Sequence, residues 1–384
     1  NGKIIVNKGG LIKGNIQELN VDKLENDEGK LVSTEKISGR VKEISNKNGE
    51  ISGTETVKLI GNKLDNFSGL IKSNGKIALA IKETSNVKGY ILSDGLTKED
   101  VKKEENKNQK DIKDDKNKEK GIEITGDLDN TEGVIRGREI NLGNVTGNNK
   151  GKIDSLGALT FNGKIIVNKG GLIKGNIQEL NVDKLINDKG KLVSTGKISG
   201  RAKEISNKDG EISGTETVKL IGDKLNNLSG LIKSNGKITL DIKETSNVKG
   251  YILSDGLTKE DVRKEENKKI ESNKNTKNDE TKEKGISITG DLNNTEGVIR
   301  GREINLGNVT GNNKGKIDSL GALTFNGKII VNKGRLITGN IQELNADKLE
   351  NDKGKLVSTE KISGRVKEIS NKDGEISGTE TVKL

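Results

Sequence analysis

The stretch Asn46–Asn86, NKNGEISGTETVKLIGNKLDNFSGLIKSNGKIALAIKETSN, decides the fold. It holds two units of 20 residues, opening on Asn46–Gly49 and Asn66–Gly69 with the pattern Asn-x-x-Gly. In each unit an Ile follows the Asn by five residues, Ile51 in the first and Ile71 in the second. Outward from this stretch the Asn register reads Asn7, Asn26, Asn46, Asn66, Asn86, Asn130, Asn148, Asn168, Asn187, Asn207, Asn227, Asn247, Asn294, Asn312, Asn332, Asn351 and Asn371. Apart from two longer gaps the spacing is 18 to 20 residues, and all seventeen Asn have Ile or Leu five positions on, Ile212, Ile232 and Ile376 among them. A fixed internal period of this length sets the architecture before local propensity does.

Within Asn46–Asp65 the apolar residues are Ile51, Val57, Leu59, Ile60 and Leu64, interleaved with Thr, Lys, Glu and Gly. Alternation such as Val57-Lys58-Leu59 is a strand signal, and no run keeps a 3.6-residue period. One such unit cannot bury its apolar face alone, whereas stacked units share one core. A second column, two residues before each Asn, is Ile or Leu except at Thr84, Thr146, Thr245 and Thr310. We therefore expect an all-β fold, a right-handed parallel β-helix (β-solenoid) of about 20 residues per coil. Seventeen coils at the inter-strand spacing predict a rod on the order of 80 Å long. Asn46, Gly49, Asn207, Gly210, Asn371 and Gly374 are then corner residues: Gly takes positive φ freely, and Asn tolerates that region while its side chain bonds nearby backbone. Stacking predicts an Asn ladder. Gly10 and Gly171 correspond to Arg335 in the third copy, so the corner Gly is replaceable there.

A longer repeat lies over the short one. Asn1–Leu24 is identical to Asn162–Leu185, and Thr131–Gly170 to Thr295–Gly334. Near-identity over such spans points to duplication of a block of eight coils. Two segments rich in Lys, Glu and Asn, 96–120 and 257–284, interrupt the period. Removing either leaves a coil of ordinary length, so we expect residues 1–384 to form one continuous solenoid from which two charged insertions loop out. Lys98–Lys120 carries 9 basic and 8 acidic residues, with Val101 and Ile112 its apolar members. Such composition buries little surface, and a solvent-facing loop is the default reading.

The 384 residues include no Pro, Cys, Met, His or Trp, two Tyr, three Phe and 50 Gly. Lack of Pro suits a chain that is nearly all ladder. Lack of Met, with both ends inside a coil, predicts a piece of a larger protein. The net charge of +10 is a surplus of 68 basic over 58 acidic residues mixed along the chain. No basic stripe with aromatic partners concentrates it, so a nucleic-acid partner is not expected.

Units such as Asn46–Asp65, Asn66–Ser85 and "NNKGKIDSLGALTFNGKIIV" (148–167) resemble the haemagglutinin repeats of filamentous-haemagglutinin-type exoproteins. The opening Asn-x-x-Gly-x-Ile-x-Ser/Gly at Asn46–Gly53 and Asn207–Gly214 carries the resemblance, which spans all but the two charged insertions. The resemblance implies a large bacterial protein exported by two-partner secretion through an outer-membrane transporter and folded at the cell surface or outside the cell. It implies a structural stalk and multivalent adhesion surface whose partner is a host or neighbouring cell. The alternative is the stalk of a contact-dependent growth-inhibition toxin with its effector elsewhere. A Cys-free chain is compatible with export unfolded.

Parallel β-helices also carry polysaccharide lyases and hydrolases. Here the acidic residues recur with the repeat, as Glu50, Glu211 and Glu375 do, whereas a catalytic site is normally singular. A chain without His and Cys holds no Ser-His-Asp or Cys-His triad. No calcium-binding Gly-Gly-x-Gly-x-Asp repeat is present. We expect no enzymatic activity, small-molecule substrate, cofactor or metal site in this stretch. Tyr90 and Tyr251 follow a corner Gly beside the root of each insertion. They are candidate contact residues, with covering the base of the insertion as the alternative.

Overall fold

A computed structural model of the chain describes residues 2–103, 120–143, 145–266, 283–307 and 310–384. They fold as two compact units, Asn1–Asp183 and Lys184–Leu384. Each unit is a stack of parallel coils, a β-solenoid. Among the described residues no helix is long and apolar enough to cross a membrane.

The coil of Asn46 shows how the sequence makes the turn. A short strand, Glu50–Gly53, leads through a corner at Thr54–Glu55 into a long strand, Thr56–Asp65, which bends and ends at Asn66. Pairing to the next coil is parallel and keeps the 20-residue offset: Ile51 lies on Ile71, Val57 on Ile77, Leu59 on Leu79 and Leu64 on Thr84. A fixed offset puts like on like, so alternation within one coil becomes continuous columns along the stack. Ile51, Val57, Leu59, Leu64 and Ile71 are fully buried in the first unit, and Ile212, Val218, Leu220, Leu225 and Ile232 in the second. Ile376 lies in the last coil, which has a neighbour on one side, and it is only half-buried.

The structure shifts the Asn register at two coils. Asn149 and Asn313, not Asn148 and Asn312, are the buried corner residues. The inner column there is accordingly Gly147 and Gly311 rather than Thr146 and Thr310: Gly147 pairs with Leu128 and with Ile166, and Gly311 with Leu292 and with Ile330. Buried Phe161 and Phe325 lie beside these glycines, around a small apolar cavity in each unit.

Candidate functional site

The corner Asn residues form a hydrogen-bonded ladder inside each unit. In the first, Asn7 Nδ2 donates to Asn26 Oδ1, and the chain of donations continues through Asn46, Asn66, Asn86, Asn130 and Asn149 to Asn168, each step 2.7–2.8 Å. In the second it runs from Asn187 through Asn207 to Asn371 at 2.7–2.9 Å. Amides of the ladder also reach backbone carbonyls, as Asn46 Nδ2 does to Gly49 O at 3.2 Å. Asn46 and Asn207 are fully buried, whereas Asn371 in the last coil is exposed and donates to Gly374 O at 3.1 Å.

Outside the two shifted coils of Asn149 and Asn313, the left-handed residue at the corner is neither the Asn nor the last residue of the four-residue motif. It is the residue between them: Asn48 (φ 50°), Asp209 (φ 51°) and Asp373 (φ 48°) precede Gly49, Gly210 and Gly374. Its amide donates to the next coil, Asn48 to Phe67 O at 3.0 Å and Asp209 to Leu228 O at 2.9 Å, which holds a strained backbone in place. At the corners of Asn46 and Asn207 the Gly is required for space. A Cβ on Gly210 falls 2.7 Å from both Asn187 O and Asn207 Oδ1, and one on Gly49 equally close to Asn26 O and Asn46 Oδ1. In the coil of Asn332 this place is held by Arg335, whose carbonyl still accepts from Asn332 Nδ2 at 3.1 Å.

The two insertions do not leave the solenoid directly. Each starts with a helix, α1 (Lys98–Lys103) and α2 (Lys259–Glu266), laid on the outward face of the short strands. Val101 and Leu96 pack on Leu92, with Leu70, Tyr90, Val134 and Leu156 around them. Val262 packs on Leu253 and Val298, with Leu231, Tyr251 and Leu257 alongside. The face is therefore roofed, and Leu92 and Leu253 are fully buried although they point away from the coil interior. Thr97 and Asp100 cap α1 reciprocally, with Thr97 N 3.0 Å from Asp100 Oδ2 and Asp100 N 3.2 Å from Thr97 Oγ1. Thr258 and Asp261 repeat the arrangement in α2. The hydroxyl and then the amide of Thr258, with smaller contributions from Lys264 and Arg300, hold the Asp261 carboxyl below its ordinary value.

Tyr90 and Tyr251 are half-buried at the edge of this roof. The ammonium groups of Lys98 and Lys259 each lie 4.8 Å from the ring centroid of their Tyr. Burial is the main cause of the lowered pKa of both lysines. Beside the roof, Arg136 is buried with its Nε 3.4 Å from Asp154 Oδ2, and Arg300 with its Nε 3.4 Å from Asp318 Oδ2.

A carboxylate closes the root of each insertion. Asp94 accepts from Gly121 N at 3.2 Å, from Arg138 N at 2.8 Å and from Ser93 Oγ. Asp255 does the same with Gly285 N, Arg302 N and Ser254 Oγ. The two ends of the insertion meet at this one side chain, which lets the coil resume at Ile122 and Ile286. The sequence reading missed the carboxylate and the docked helix. Thr97-x-x-Asp100 and Thr258-x-x-Asp261, with Val101 and Val262 one residue further on, are the signals that reveal them.

The arrangement can hold a charged insertion against a β-sheet, and every element of it occurs twice. Among the described residues no group of three or more Asp or Glu is placed to hold a metal ion. No protein-family model, curated protein or solved structure matches the chain.

Proposed function

We propose that the chain is a structural stalk and multivalent adhesion surface of a large secreted or cell-surface bacterial protein. The observation that carries the reading is recurrence on the surface. The partly exposed pairs Tyr90–Lys98 and Glu50–Lys72 return as Tyr251–Lys259 and Glu211–Lys233, at 4.8 Å in both aromatic pairs and at 2.9 and 3.0 Å in the ion pairs. Repeated outward groups suit many weak contacts with a cell surface, where linked contacts raise avidity by about 10²–10⁴ over one alone. The partner in this reading is the surface of a host or neighbouring cell, reached after passage through an outer-membrane transporter.

Beads coated with the purified chain at graded densities test it. The proposal expects binding to erythrocytes or epithelial cells that rises steeply with density and is poorly competed by soluble chain. Failure of densely coated beads to bind either cell type removes the adhesive role.

A further inference from the structure

The outward face that ends each coil carries a groove of about 450 Å³ in the first unit. The register stacks Lys63 on Glu83 and Asp65 on Ser85, then Glu83 on Asp127 and Ser85 on Asp129. Asn148 lies next to Asp129, and Thr146 and Asn148 are followed by Ile165 and Val167. Over five coils the face passes from four carboxylates and one lysine, a net charge of −3, to an aliphatic pair. Ile165 is 36 % exposed, and the acidic end sits in a chain of net charge +10.

We propose that this groove docks an extended segment of a protein partner, carrying Lys or Arg about three residues from an aliphatic side chain. Charge complementarity orients such a segment at the acidic end, and the Ile165–Val167 row buries its apolar residue. The spacing comes from the coils. The Asp127–Asp129 row and the Ile165–Val167 row are two coils apart, about 10 Å, which an extended chain crosses in about three residues.

The second unit supplies an internal comparison. Lys224, Glu244, Asp291, Ile329 and Val331 repeat the first unit's residues, but Asn226 and Asn293 stand where Asp65 and Asp129 do. The acidic end there is reduced to −1, so the docking belongs to the first unit. It does not depend on what the stack does as a whole.

The test is fluorescence anisotropy of the full chain with a labelled short peptide holding two arginines three residues before a Leu-Val pair. The expected result is saturable binding to one site. The double substitution Asp127→Asn, Asp129→Asn weakens it about tenfold, and so does Ile165→Ser alone. A peptide of equal composition with the pair moved next to the arginines binds about tenfold more weakly. Asn226→Asp with Asn293→Asp raises the stoichiometry to two. Circular dichroism checks that these outward substitutions leave the fold intact. Equal affinity for both peptides, no effect of Ile165→Ser, or full displacement by spermine at matched charge overturns the proposal and leaves counterion binding only. Absence of binding overturns it as well.

Discussion

At the scale of residues, the corner separates two jobs that the motif merges. Ser229 takes the left-handed conformation (φ 55°), while a Cβ on the neighbouring Gly230 runs into the amides of Asn207 and Asn227 and the carbonyl of Asn207. Ser229→Gly is therefore expected to stabilise the fold by about 0.5–1 kcal/mol, the relieved strain less the added freedom of the unfolded glycine. Gly230→Ala is expected to destabilise it by about 2 kcal/mol or more through overpacking. Urea unfolding of the two variants reads both signs, and like signs contradict the assignment. Asn207→Ala removes the bond to Asn227 Oδ1 and the one from Asn187 Nδ2, both 2.8 Å, and is expected to cost roughly 2–4 kcal/mol. That Asn and Gly build the corner was legible in the sequence; which residue carries the strain was not. Spacing alone cannot choose between Asn148 and Asn149 either, because both are Asn and only alignment with Asn130 and Asn168 puts one amide in the ladder.

At the scale of elements, the insertions teach the opposite lesson. Their charge obscured a helix that docks through one or two side chains, because composition averaged over 96–120 hides Leu96 and Val101. Val262→Asp is expected to lift α2 from its face. The chain has no Trp and its two Tyr sit at the two roofs, so tyrosine emission reports on docking. In a Tyr90→Phe background, acrylamide quenching of Tyr251 should rise with Val262→Asp, and unchanged quenching contradicts the docked helix. Asp94→Ala leaves the Gly121 and Arg138 amides without their carboxylate acceptor, a penalty of about 1–3 kcal/mol for the buried Gly121 donor and less for half-buried Arg138. Hydrogen exchange at those two amides should accelerate while the Asn86 ladder step stays protected.

At the scale of the whole molecule, the repeat made the stack legible, since identical offsets in sequence become identical registers in space. The outward faces were less legible, because periodicity says which residues point out and not what covers them. Glu50 and Glu211 show how those faces respond to acid. Burial pushes each carboxyl up, but hydrogen bonds and charge from Lys72 and Lys233, with the Ser52 and Ser213 hydroxyls, outweigh it and hold both below the ordinary 4.5. A carboxyl depressed in the folded state stabilises fully above 4.5 and loses that contribution as pH falls through its folded value. Melting temperature is thus expected to drop below pH 4.5, less steeply in Lys233→Met, which removes the partner of Glu211.

One shared inner column, continued from coil to coil, holds each unit together. Urea unfolding of Ile212→Asp beside Glu211→Gln tests it most directly, since Ile212 is fully buried and Glu211 is its outward neighbour. Ile212→Asp is expected to cost about 4 kcal/mol or more, with faster exchange in the coils on either side, and Glu211→Gln less than about 1 kcal/mol. Comparable stability of the two variants contradicts it.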